Sequence, residues 1–92
     1  MRLRLMDEVM PLDGRGILLL SMDEENAPLL QSGARITDAR GGVHTVGAIK
    51  AQDGLYTLHL PDGDAAYFER LFRDVRVDAT LFTFEAGAEP CP

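Results

Sequence analysis

The chain contains no tryptophan, a single cysteine and, among its nine basic residues, only one lysine. Each shortage excludes something. Cys91 has no second thiol with which to close an intramolecular disulfide, so a reducing compartment is the simple reading. His44 and His59 are the only histidines, and neither belongs to a His-x-x-x-His or Cys-x-x-Cys spacing of the kind that holds a metal tightly. The longest apolar run, Ile17 to Leu20, falls far short of a bilayer span. Asp7 and Glu8 interrupt the Met1–Met6 start before a signal-peptide core forms. These shortages predict a soluble, cytoplasmic protein that makes no membrane contact.

Basic residues are also scarce overall: nine against 15 acidic ones, for a net charge of −6. Nucleic-acid binding draws its affinity from phosphates neutralised by Lys and Arg. The eight arginines are strung from Arg2 to Arg76, mostly beside carboxylates, which argues against direct nucleic-acid binding.

The hydrophobic share of 46% is that of an ordinary globular chain, and 92 residues suffice for one domain. We place that domain at residues 1–85. Residues 86–92, rich in Gly, Ala and Pro, form an expected flexible tail. Inside the domain, a period of two dominates. Leu3 and Leu5 alternate with Arg2, Arg4 and Met6, predicting one strand over residues 2–10. Leu12-Asp13-Gly14 turns the chain into a second strand, Gly16–Met22, whose Ile-Leu-Leu-Leu run predicts burial on both faces. Asp23-Glu24-Glu25-Asn26 reads as a polar, solvated excursion, and Pro28 excludes a central strand. Short strands follow at 33–38, 43–51 and 55–60, separated by Gly41-Gly42 and Gln52-Asp53-Gly54. After Pro61-Asp62-Gly63 the period changes. Asp64 suits an N-cap, and Tyr67, Phe68, Leu71 and Phe72 make an apolar stripe on a helix over 65–73. Alternation resumes from Val75 to Phe84. Six antiparallel strands and one short helix predict a mainly β fold, closed into a barrel so that no edge is left exposed.

Several short motifs occur in a telling order. These are Met10-Pro11-Leu12-Asp13-Gly14-Arg15-Gly16, Ser32-Gly33-Ala34-Arg35-Ile36, Val46-Gly47-Ala48-Ile49 and Asp78-Ala79-Thr80-Leu81. Together they resemble the second domain of translation elongation factor Tu and its relatives, over roughly residues 3–84. The resemblance implies a six-stranded closed β-barrel of the translation-protein type. It implies no functional residue here, because the chain carries no Gly-x-x-x-x-Gly-Lys-Ser/Thr loop and so no GTPase domain. It also departs from the family pattern in its longer loop at 23–26 and in the helical insertion at 64–73.

No arrangement of residues forms a catalytic signature. Ser21 and Ser32 lie outside any Gly-x-Ser-x-Gly elbow, and Cys91 has no neighbour that would activate it. The expectation is a non-catalytic binding module with no catalytic residue, metal ligand or cofactor, docking onto a protein or onto its own copy. The aromatic stripe either plugs an end of the barrel or presents an anchor. Tyr67, Phe68, Arg70 and Arg73 are the candidate partner contacts, with Glu69 on the rim. The alternative is a small ligand- or metal-binding barrel or enzyme, with its site at the barrel mouth near His44 and His59.

Overall fold

The computed structural model describes residues 2–75 and 79–84. Eight strands and one helix follow in order: β1 (Arg2–Arg4), β2 (Val9–Leu12), β3 (Gly16–Ser21), β4 (Arg35–Thr37), β5 (Val43–Thr45), β6 (Ala48–Gln52), β7 (Leu55–Leu60), α1 (Ala65–Asp74) and β8 (Leu81–Phe84). A single 3-10 turn at Ala27–Leu29 carries Pro28, where a helical first turn tolerates the missing N–H. The strands form two antiparallel four-stranded sheets, ordered β1-β8-β4-β5 and β2-β3-β7-β6. The fold is therefore mainly β with one helix, as the alternation predicts.

The closed barrel and the count of six strands are not observed among the described residues. Two of the expected strands each bend into two shorter ones, β1 with β2 and β5 with β6, and the halves join different sheets. The cause lies in consecutive amides. The Leu5 N–H donates to Thr80 O at 2.8 Å, on the β8 side, whereas the next N–H, of Met6, donates to Leu20 O of β3 at 2.8 Å. The second bend repeats the device: Val46 N–H bonds to Ala34 O at 2.9 Å, and Gly47 N–H to His59 O of β7 at 2.7 Å. At each corner the backbone leaves one ladder and enters the other. The ladders stop there, so the sheets stay separate while the chain joins their rims.

Of the last expected strand, 75–84, the described residues show ladder pairing from Leu81; the helix runs through Asp74 and Val75 terminates it. Residues 76–78 and the expected tail at 86–92 lie outside the described residues.

Between the sheets sits one core. Leu3, Leu19, Ile36, Val46, Leu58, Phe68, Leu71 and Phe82 are all fully buried. Helix α1 forms where the sequence places it. The Asp64 side chain accepts a hydrogen bond from Ala66 N–H at 3.0 Å, capping the helix, and Arg73 lies in its last turn, where the dipole favours a cation. Phe68 enters the core beside Phe82 of β8, ring centroids 6.2 Å apart. Pro11 lies on the edge strand β2, opposite Ile17, where a ladder tolerates the missing N–H of a proline.

Gly16 explains the Gly-Arg-Gly turn. Its φ is +84°, and a Cβ there would fall 2.1 Å from the Leu60 carbonyl oxygen. Gly14 has φ +69° but open space around it. Gly16→Ala is therefore expected to destabilise by more than about 3 kcal/mol, combining backbone strain with overpacking. Gly14→Ala should cost about 1 kcal/mol, from strain alone. Urea denaturation of the two variants checks the contrast, and equal losses would contradict it.

Candidate functional site

The densest polar chemistry in the described residues gathers on Asp38, at the start of the turn between β4 and β5. Its side chain is fully buried. One oxygen, Oδ1, accepts from the backbone N–H groups of Arg40 at 2.8 Å and Gly42 at 3.0 Å, closing the turn. The other, Oδ2, accepts from the Tyr67 hydroxyl at 2.6 Å and lies 2.7 Å from His44 Nε2. An ionised carboxylate can only accept, so Nε2 carries the hydrogen of that contact. Burial pushes the Asp38 pKa up, but the hydrogen bonds from Tyr67, His44, Gly42 and Arg40 outweigh it and hold the group below the ordinary Asp value. The same contact with Asp38, then burial, raises the pKa of the Tyr67 phenol.

Aromatic rings back this cluster. The His44 ring lies 4.6 Å from Phe68 and 5.4 Å from Tyr67, centroid to centroid. Gly42 leaves no space beside it: a Cβ would stand 2.6 Å from Asp38 Oδ2 and 2.7 Å from the Tyr67 hydroxyl. The arrangement ties helix α1 to the β4–β5 turn.

The candidate contacts on α1 divide accordingly. Phe68 is 0% exposed and belongs to the core, so it presents no anchor. Tyr67 is half-buried, with its hydroxyl committed to Asp38. Burial of this side of the stripe follows from the depth at which Phe68 packs between His44, Phe72 and Phe82. Glu69, Arg70 and Arg73 are exposed. Arg70 Nε donates to Ala66 O at 3.3 Å, and Arg73 Nε pairs with Asp74 at 3.1 Å, a surface contact of small energetic weight. Arg73 also borders an open groove of about 370 Å³ between α1 and the approach to β2, lined by Asp7, Val9, Glu69, Phe72 and Arg73.

His44 and His59 occupy different sheets and take different partners. His59 Nε2 lies 2.7 Å from the carbonyl oxygen of Arg15, while His44 serves Asp38. No group of three or more His, Cys, Asp or Glu side chains is placed to hold a metal among the described residues. Ser32 donates its hydroxyl to Gly47 O, and Ser21 donates to Arg4 O at 2.7 Å.

Sequence reasoning missed two features. The polar excursion at 23–26 is solvated at Glu24 and Glu25, as expected, but Asp23 also makes it a clasp. Asp23 accepts from Arg4 N–H at 3.1 Å and from Asn26 N–H at 3.1 Å, while its own N–H donates to Ser21 Oγ at 3.1 Å. Burial raises the Asp23 pKa, and these hydrogen bonds more than offset it, leaving it below the ordinary value. The second is the Asp38 cluster itself. Its partners are six and 29 positions away, and only the Gly-Gly that follows Asp38 hints at a carboxylate-closed turn.

No family model, no curated protein and no solved structure matches this chain. Among the described residues, no helix is long and apolar enough to cross a membrane.

Tyr67→Phe should lower stability by about 1.5–3 kcal/mol at neutral pH, the usual worth of a hydrogen bond to a charged acceptor. The ionised Asp38 contributes its stabilisation in full above the ordinary pKa of 3.8, and loses it as pH falls through the lower folded value. Asp38→Asn should therefore flatten the acid side of the stability curve. For Tyr67 the sign reverses: its contribution is complete below the ordinary value of 10.0 and fades as pH rises through the higher folded value. Urea titrations across pH read both limbs, and an acid limb unchanged in Asp38→Asn would remove the assignment.

Proposed function

We propose that this protein is a non-catalytic interaction module of the elongation factor Tu domain 2 type, and that a partner protein docks along the outer side of α1. The observation that carries the docking surface is the groove beside Arg73. Phe72 and Val9, both half-buried, give it an apolar floor. Asp7, Glu69 and Arg73 ring that floor with charges of both signs. Interfaces concentrate energy in such aromatic and arginine positions and draw their register from the charged rim. On the helix, Glu69 and Arg73 form the rim and exposed Arg70 stands beside it, while Tyr67 and Phe68 act from behind by fixing the helix in place.

Two features support the barrel kinship. Joining β1 to β2 and β5 to β6 across their corners recovers the six segments read from the sequence. The Gly-Arg-Gly turn ends in a glycine pressed against the backbone at Leu60, a position no larger residue fills.

The test is differential capture. Proteins retained by the immobilised wild type should be lost with Arg73→Glu and Glu69→Arg, at least about tenfold in affinity. Both positions are exposed, so the fold should be kept; Arg73→Glu should lower the melting temperature by only a few degrees, through the lost helix-dipole and Asp74 contacts, and Glu69→Arg by less. Retention of the same proteins by the charge-reversed variants would sink the proposal.

A further inference from the structure

Three Asp-Gly pairs occur in the chain, Asp13-Gly14, Asp53-Gly54 and Asp62-Gly63, and all three aspartates are exposed. An aspartate followed by glycine can close into a ring. The glycine amide nitrogen attacks the side-chain carboxyl carbon, and a water leaves, made from the carboxyl hydroxyl and the amide proton. Water then reopens the resulting imide. Breaking the nitrogen–Cγ bond returns aspartate. Breaking the nitrogen bond to the main-chain carbonyl carbon instead routes the chain through the side chain, as isoaspartate. One water is lost and one gained, so no other reactant enters.

Ring closure makes a demand on the backbone. In the flat imide the glycine nitrogen eclipses Cβ, which sets ψ of an L-aspartate at about −120°, the value found at the first central residue of a type II′ turn, where φ is about +60°. Of the three aspartates, only Asp53 stands at positive φ. Its φ is 53° and that of Gly54 is 80°, in a two-residue loop between the paired Gln52 and Leu55, which makes a type I′ hairpin turn. Types I′ and II′ differ by a flip of the central peptide plane. The first φ is shared, the first ψ swings to about −120°, and the second φ changes sign. Glycine accepts either sign at that second position. Both turn types match the twist of the flanking strands, so the flip leaves the β6–β7 ladder standing. Among the described residues the Gly54 N–H makes no hydrogen bond that the flip would have to break.

The other two pairs are held differently. Gly14 has φ +69° and the Arg15 N–H bonds to Leu12 O at 3.2 Å, which is a type II turn. A flip there takes Asp13 to type I, with ψ of about −30°, away from the closing value. The Gly63 N–H is engaged with Leu60 O at 3.0 Å, and Ile17 fills the space beside that glycine.

We infer that Asp53 is a site of spontaneous covalent modification, converted in the folded protein to isoaspartate through an imide with Gly54, with water as the only co-reactant. The product adds one atom to the main chain of a two-residue loop. Gln52 and Leu55 then no longer meet across a turn of either hairpin type, and β6, an edge strand of its sheet, loses the end that anchors it.

Wild-type protein kept folded at neutral pH for several weeks, then digested and sequenced by electron-transfer mass spectrometry, reads all three sites, because that fragmentation cleaves the extra main-chain bond of isoaspartate. The expected result is at least about tenfold more isoaspartate at residue 53 than at residue 13 or 62. In concentrated urea, where the turns are gone, the three sites should react at similar rates. Asp53→Asn keeps the turn, since asparagine also tolerates positive φ, and should close the same ring by shedding ammonia, so that residue 53 is recovered as aspartate and isoaspartate. Equal or greater conversion at residue 13 or 62 in the folded protein overturns the inference. So does an Asp53→Asn chain whose residue 53 stays asparagine, or a preference for residue 53 that survives unchanged in urea.

Discussion

A carboxylate taken out of water must be fully paired or it destabilises what surrounds it. Asp38 meets that demand with two backbone amides, a phenol and an imidazole, and in doing so fixes the relation of three parts of the chain. The β4–β5 turn takes its shape from Oδ1, while α1 takes its position from Oδ2. Because α1 delivers Phe68 and Leu71 to the core, the seat of the helix and the filling of the space between the sheets are one event. The outer side of the helix, with Glu69, Arg70 and Arg73, is held in place by contacts made on its inner side.

How much of this was legible in the sequence depended on range. The helix was read to within a residue at its C-terminal end, because an N-cap and a 3.6-residue stripe are local signals. The hairpins at Gly14–Gly16 and Asp53-Gly54 were legible for the same reason, with Asp53 at φ 53° and Gly54 at φ 80°. The corners were not. Alternation continues from Leu3 to Leu5 straight into the bend, and nothing in the residue types announces that Met6 will bond to the other sheet. Val46 is fully buried although the expected 43–51 strand breaks just before it, with β5 ending at Thr45.

The candidate contacts show the same division. Arg70 and Arg73 stand in solvent as the amphipathic pattern requires. Tyr67 and Phe68 are adjacent on the stripe and equal in hydrophobic promise, yet one reaches a buried carboxylate and the other fills the core. Only the position of Asp38, 29 residues away, separates them. The arginines carry a parallel lesson: scattered along the chain, three of them arrive on one sheet face once the strands pair.

The paired corners, at Leu5–Met6 and Val46–Gly47, have a mechanical consequence. Each sheet is hinged to its neighbour along both flanks, so neither layer can peel away without dragging the opposite one open. Loosening at either hinge would be shared by the whole body, and partial opening of one layer alone is denied to it. Small size here comes with an all-or-none character, which the covalent path of the backbone imposes without any disulfide.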